Sequence, residues 1–251
     1  MPRRPLGRTG IEVSVLGLGT VKLGRATGVK YPRPFDIPDD AAARRLLDTA
    51  AGLGINLIDT APAYGNSEAR LGSLLGGRRE DWVLCTKVGE EFDGERSRFD
   101  FSAEHVDLSV RRSLARLGTD YLDVVLIHSD GDDLAILDGE ALPALRDLQA
   151  RGMIRAVGMS HKTPEGGRRA VELGCDVIMA TLNRGYRDEL DLIAEAGRQG
   201  CGVLIKKALA SGHAGPDSLT FAAAQPGVSS VIVGTVDPAH LRANARALTP
   251  D

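Results

Sequence analysis

Residues 56–65 read Asn-Leu-Ile-Asp-Thr-Ala-Pro-Ala-Tyr-Gly, an apolar run that ends on a carboxylate, a proline and a phenol. The stretch 56–62 has the length of a strand buried on both faces, and its polar end marks where a strand gives way to a loop. Seven other stretches share this form: 13–20, 82–88, 121–129, 154–161, 177–183, 202–209 and 230–235. Amphipathic helical patterns follow them near 39–53, 66–76, 102–117, 139–152, 164–173, 188–199, 216–225 and 237–248. Eight strand-then-helix units fit a closed parallel barrel better than an open doubly wound sheet. The expectation is an α/β fold, a (β/α)8 TIM barrel.

Local signals support the spacing. Ser102 stands as N-cap before Ala103-Glu104, and Asp237 stands before Pro238, a cap followed by proline at the first helical position. Gly118, Gly152, Gly174 and Gly200 close helices shortly before the next strand. With no long linker or low-complexity tract, residues 1–251 are expected to form one barrel domain. The segment before Val13, with Arg8-Thr9-Gly10 between two short runs, suggests an N-terminal β-hairpin plugging the barrel's bottom.

Composition excludes several function classes. The chain has 251 residues, 43% of them hydrophobic, and a net charge of -3, with no basic stripe of the kind a nucleic-acid partner needs. No apolar run approaches the roughly 18 residues that span a bilayer, so no membrane partner is expected. The opening residues MPRRPLGRTG lack the apolar region of a secretory signal. Cys85, Cys175 and Cys201 are isolated thiols without metal-ligand spacing, which fits a reducing, cytoplasmic setting and no metal.

In such a barrel the chemistry belongs where strands end and βα loops begin. Asp59, Lys87 and His128 stand at the ends of the second, third and fourth strand-like runs, and Tyr64 lies in the loop after Asp59. Residues i and i+2 of a strand share a face. Leu57 therefore points with Asp59, Cys85 with Lys87, and Leu126 with His128, each apolar partner filling the barrel while the polar one opens at its mouth. A phenol has an ordinary pKa near 10, and a neighbouring ammonium favours its ionised form. Lys87 would supply that ammonium, Asp59 would hold it, and His128 would orient a carbonyl oxygen by a hydrogen bond. Taken singly, the Lys–Asp pair also reads as a buried ion pair and His128 as a core histidine. The four together point to general acid–base work on a carbonyl.

At these residues the sequence resembles the aldo-keto reductase family along nearly its whole length. The resemblance rests on Leu16-Gly17-Leu18-Gly19-Thr20, on 56–65, on Cys85-Thr86-Lys87-Val88, and on Ser113-Leu114-Ala115-Arg116-Leu117-Gly118 running to Asp123 and His128. It implies a catalytic tetrad of Asp59, Tyr64, Lys87 and His128 with Tyr64 as general acid/base. It also implies an extended nicotinamide dinucleotide, NADPH or NADH, and a small aldehyde or ketone substrate. Cofactor contacts are implied at Gly19, Thr20, Ser160, Lys207, Ser211, Gly234, Thr235, His240 and Asn244. Gly17-Leu18-Gly19 is not a dinucleotide fingerprint, because Lys22 stands where the third glycine belongs.

Departures from the family pattern are informative. Gly234 and His240 replace basic residues that grip a 2′-phosphate, and Asp237 adds a negative charge nearby, which leaves the choice of NADH or NADPH open. Met179 stands where a Gln is common, His161 where Asn is usual, and Lys206 where an aromatic stacks on the nicotinamide. Tyr31, Phe35, Tyr64, Phe92, Phe99, Phe101 and Tyr186 fall in loops of the active face, and some of them are expected to line an apolar pocket. The last helical pattern ends near residue 248, where many relatives extend over the substrate, so an open, permissive site is implied. Two alternatives remain: a Schiff-base aldolase using Lys87, and a cofactor-binding sensor or regulatory subunit with little turnover.

Overall fold

The structure is a computed structural model, and it describes residues 1–29, 31 and 34–249. Twelve strands and ten helices alternate along the described chain. The strands are β1 (Arg3–Pro5), β2 (Glu12–Ser14), β3 (Leu16–Gly19), β4 (Leu57–Asp59), β5 (Val83–Val88), β6 (Glu90–Phe92), β7 (Ser97–Phe99), β8 (Leu122–His128), β9 (Ile154–Ser160), β10 (Val177–Thr181), β11 (Gly202–Lys206) and β12 (Val228–Gly234). The helices are α1 (Val21–Gly24), α2 (Asp40–Gly52), α3 (Ser67–Leu75), α4 (Ala103–Leu117), α5 (Asp133–Leu137), α6 (Ala141–Ala150), α7 (Pro164–Glu172), α8 (Leu190–Arg198), α9 (Pro216–Ala223) and α10 (Pro238–Leu248). Strands β3, β4, β5, β8, β9, β10, β11 and β12 close in that order into a barrel. Every neighbouring pair in it is parallel. The (β/α)8 expectation holds.

Two apolar layers follow from strand alternation. Inside the barrel, Leu57, Val83, Cys85, Val124, Leu126, Ala156, Val177, Met179 and Leu204 are buried against one another. Leu6, Ile11 and Val13 of the β1–β2 hairpin join that interior, so the hairpin seals the bottom as its sequence suggested. Outside, residues of the opposite parity such as Ile58, Leu84, Val125 and Val157 pack on helix faces carrying Leu47, Leu74, Val110 and Leu145. The apolar partners of Asp59, Lys87 and His128 all belong to the inner layer, which puts the three polar side chains over the barrel axis.

Three segments differ from the sequence reading. The run 13–20 is divided: β2 ends the plug at Ser14, and the barrel strand begins at Leu16. Asn56 makes the break, its side chain accepting from Ser14 N at 2.7 Å and donating to the Glu12 carbonyl at 2.9 Å. An extra helix, α5, precedes α6, and an antiparallel hairpin, β6–β7, rises from the end of β5. Among the described residues no helix is long and apolar enough to cross a membrane.

Candidate active site

Inter-strand register brings the polar residues to one end of the barrel. Asp59 pairs with Gly19 on one side and Cys85 on the other, Gly19 pairs with Gly234, and His128 pairs with Ser160. Tyr64 reaches the same mouth because the chain after β4 coils into a 3-10 turn, Pro62–Tyr64, with proline at its start. A cleft of about 910 Å³ opens there, at the upper end of the range usual for small-molecule sites. The cleft is lined by Asp59, Tyr64, Lys87 and His128, and also by Gly19, Thr20, Ser160, Lys207, Ser211, Gly234, Thr235, His240 and Asn244. All thirteen residues singled out in the sequence thus meet in one groove.

Lys87 is fully buried, and its Nζ donates to Asp59 Oδ1 at 2.5 Å and to the Thr60 carbonyl at 2.8 Å. Burial works most strongly against its charge, but Asp59, Tyr64 and Cys85 together outweigh burial and push the lysine pKa above its ordinary value. Lys87 is therefore a locked ammonium at neutral pH. Its Nζ lies 5.0 Å from the centre of the Tyr64 ring. The Tyr64 phenol is pushed up, mainly by burial, with Lys87 pulling the other way. The expected acidifying effect of Lys87 is present, yet desolvation exceeds it, so the resting phenol keeps its proton.

The Tyr64 and His128 rings meet edge to face, 6.3 Å apart. His128 Nδ1 lies 2.9 Å from Glu90 Oε2, a partner absent from the sequence reading. Glu90 is the first residue of the β6–β7 hairpin. Its other oxygen accepts from Ser97 Oγ at 2.5 Å and faces Arg25 at 3.5 Å. Burial favours its neutral form, but His128, Ser97 and Arg25 overcome that and hold its pKa at about 2. Burial lowers the His128 pKa, against the pull of Glu90. The contact is an ion-pair approach rather than an aligned hydrogen bond, so Glu90 favours positive charge on His128 without fixing its tautomer.

The opposite wall comes from β9 to β12. Met179 and Ser160 line it, and both are almost wholly buried. Lys206 shares the inward parity of Leu204, and its Nζ donates to Ser160 Oγ at 2.9 Å and the His161 carbonyl at 2.5 Å. His161 itself turns away from the cleft and is buried, its Nε2 within hydrogen-bond distance of Glu189 Oε2 at 2.6 Å. Past β11 the chain enters the left-handed region at Lys207, Ala210 and Ser211, the only non-glycine residues among those described to do so. Such strain gathers where a loop is held for a ligand. Beyond it, Asp237 caps α10 by accepting from Ala239 N at 2.7 Å, and its other oxygen is 3.6 Å from His240 Nδ1.

Of the seven loop aromatics, Tyr31 and Tyr64 line the cleft. The other five are not part of its lining. Phe92 lies under the Arg25 guanidinium at 3.6 Å, Phe99 stacks on Phe101, and Phe101 lies so close to Gly89 that a Cβ there would come within 2.3 Å of its ring. The charge on the lining is mainly positive: Lys22, Arg25, Lys87, Lys162, Lys206 and Lys207 face it, against Asp59 and Glu90. In a chain of net charge -3, such a cleft draws an anionic ligand.

The groove is lined by residues from the tetrad to α10 and by several cations, and two glycines keep space open in it. A Cβ on Gly234 would meet the Tyr31 hydroxyl at 2.9 Å, and one on Gly19 would meet Ile232 at 3.1 Å.

Comparisons with known proteins agree with this geometry. The sequence pattern of the Aldo/keto reductase family matches residues 15–189. A crystallised Pseudomonas aeruginosa protein assigned to the aldo-keto reductases superposes with a TM-score of 0.90 at 53% identity, covering 98% of this chain and 93% of that one. L-galactose dehydrogenase of Arabidopsis thaliana is 34% identical over 83% of this chain and 66% of its own length. The NADH-specific methylglyoxal reductase of Escherichia coli is 33% identical over 76% of this chain and 62% of its own length. This chain thus spans slightly under two thirds of those two curated relatives.

Proposed function

The chain belongs to the aldo/keto reductase family, and from that premise we propose that it is a nicotinamide-dependent oxidoreductase interconverting a small aldehyde or ketone and its alcohol. The observation that carries the proposal is the convergence of a protonated buried phenol, a locked ammonium and a carboxylate-backed imidazole on one cleft. A bound nicotinamide would supply or accept hydride at the carbonyl carbon, held by Gly19, Thr20, Ser160, Lys207, Ser211, Gly234, Thr235, His240 and Asn244.

The chain's own part is proton management. Tyr64 donates its proton to the carbonyl oxygen as negative charge develops there. Lys87, 5.0 Å from the ring centre, stabilises the phenolate that remains, and Asp59 keeps Lys87 charged and in place. Acid assistance of this kind is worth about 10²–10⁴ in rate. His128, whose Nδ1 lies 2.9 Å from Glu90, offers its other ring nitrogen to the substrate oxygen. As an imidazolium it donates to a carbonyl, a state that Glu90 favours and burial opposes.

Asp237 places a carboxylate at the start of α10, where a 2′-phosphate would be repelled, so NADH is the favoured partner; the Escherichia coli relative is itself named as NADH-specific. The aldolase alternative is disfavoured because imine formation needs a free amine, and Lys87 is held as an ammonium by Asp59. The test is carbonyl-dependent loss of NADH or NADPH absorbance. Turnover abolished by Tyr64→Phe is expected. Binding of dinucleotide without turnover on any aldehyde or ketone would instead make the chain a cofactor-binding sensor.

A further inference from the structure

The mouth of the barrel has two walls, and a charge on the second has no part in the proton transfer just described. Tyr64 follows β4, Lys87 lies on β5 and His128 ends β8, and these strands form one side. Lys206 ends β11 on the far side, pointing inward with Leu204. Its Nζ is held by two neutral oxygens, Ser160 Oγ and the His161 carbonyl, which leaves a third N–H for the cleft. A hydride-donating ring must lie beside the substrate carbonyl and across from Tyr64, so Lys206 belongs to the wall that backs the ring.

We propose that Lys206 discriminates between the redox states of the cofactor, its ammonium weakening the hold on the oxidised nicotinamide, a cation, relative to the reduced ring, which is neutral. The inference rests on the reading of the site as a nicotinamide site. The consequence is a binding cleft poised toward reduced cofactor, and hence toward carbonyl reduction with ready release of the oxidised form.

The surroundings of Lys206 make this charge adjustable. Burial depresses its pKa to about 7, helped by Lys207 on its own strand end and Lys87 from β5, and opposed by Glu189 before α8 and Asp133 of α5. From β9, the facing groups are Ser160 and the His161 carbonyl, with the His161 side chain tied to Glu189 behind them. From β8, His128 feels the Lys206 charge. Lys206 is thus an ammonium in mild acid and increasingly an amine above neutrality. Two like charges within contact range in a partly desolvated site repel strongly enough to change affinity by about tenfold or more.

The test is equilibrium binding, without turnover. The dissociation constants of NAD⁺ and NADH, and of NADP⁺ and NADPH, are measured by calorimetry for the unaltered chain and for Lys206→Gln, which keeps the donors to Ser160 and His161 but loses the charge. The ratio of oxidised to reduced constants is expected to fall by about tenfold (about 1.4 kcal/mol) in the variant, through tighter oxidised cofactor and unchanged reduced cofactor. In the unaltered chain the same ratio should fall as pH rises from about 6 to about 9 around the Lys206 pKa, which needs no variant to fold. A ratio unmoved by both the substitution and pH overturns this inference alone, leaving the oxidoreductase reading in place. Failure of every dinucleotide to bind overturns both.

Discussion

The two walls of the barrel mouth are built on the same strand geometry but to different ends. The wall of β4, β5 and β8 is a closed network in which each charge is answered: Lys87 by Asp59, and His128 by Glu90, which is in turn held by Ser97 and Arg25. The wall of β9 to β12 holds Met179, Lys206 bonded only to neutral oxygens, and a loop with three strained residues. A network of satisfied charges is suited to chemistry that must be oriented before it begins. A wall with a tunable cation is suited to deciding which ligand, and in which charge state, is held. Changes on the first wall should therefore act on turnover, and changes on the second on binding.

The sharpest way to break that division is Tyr64→Phe. Carbonyl reduction should fall by about 10³-fold or more, within the span of general-acid effects, while dinucleotide affinity stays within about twofold of the unaltered protein. A large loss of affinity alongside would show that the first wall also holds the cofactor.

Lys87→Met comes next and should cost both activity and stability. Removing one member of a buried pair leaves Asp59 uncompensated, a loss of about 3–5 kcal/mol, to be read from denaturant unfolding. Restoring charge balance with Asp59→Asn in the same chain should recover stability without recovering turnover.

Glu90→Gln should be milder, with turnover down about tenfold and a distinctive pH signature. The Glu90 anion supports a protonated His128, so its loss moves the histidine-dependent limb of the reduction profile to lower pH. Glu90 itself has a folded pKa depressed from 4.5 to about 2. Its contribution to stability is complete above the ordinary value and is lost as pH falls toward the depressed one. Acid unfolding of Glu90→Gln should accordingly be flatter than that of the unaltered chain across this interval.

The smallest effect belongs to Asp237→Asn. Asparagine still caps α10, so stability should hold while NADPH affinity rises by a few-fold relative to NADH, an exposed charge being largely screened. No change in that ratio would mean that the 2′ position lies away from α10.

How much of this was readable in advance differs between the walls for a physical reason. Asp59, Lys87 and His128 each follow an apolar residue of the same parity, and alternation is a property of the chain itself, so their convergence was legible. The same rule applied to Leu204 points to Lys206 as an inward-facing group, although the bonds to Ser160 and His161 depend on how β9 and β11 lie across β10. Glu90 was missed. Its contact with His128 requires β6–β7 to fold back over the mouth, and the local signal for that was Asp93-Gly94, whose Asp93 Oδ1 accepts from Glu95 N and Arg96 N. Of the loop aromatics, Tyr31 and Tyr64 reach the cleft while the rest do not, because a side chain's position in a loop says nothing of which way it packs; Phe101 turns inward over Gly89.

The most direct measurement is a crystal structure with reduced dinucleotide bound. The nicotinamide ring is expected between the Tyr64 hydroxyl and Lys206, with the diphosphate along Lys207 and Ser211 and the adenosine beside Asn244. A dinucleotide bound elsewhere, or a Tyr64 hydroxyl turned from Lys87 with no space beside it for the ring, would contradict the assignment of this cleft.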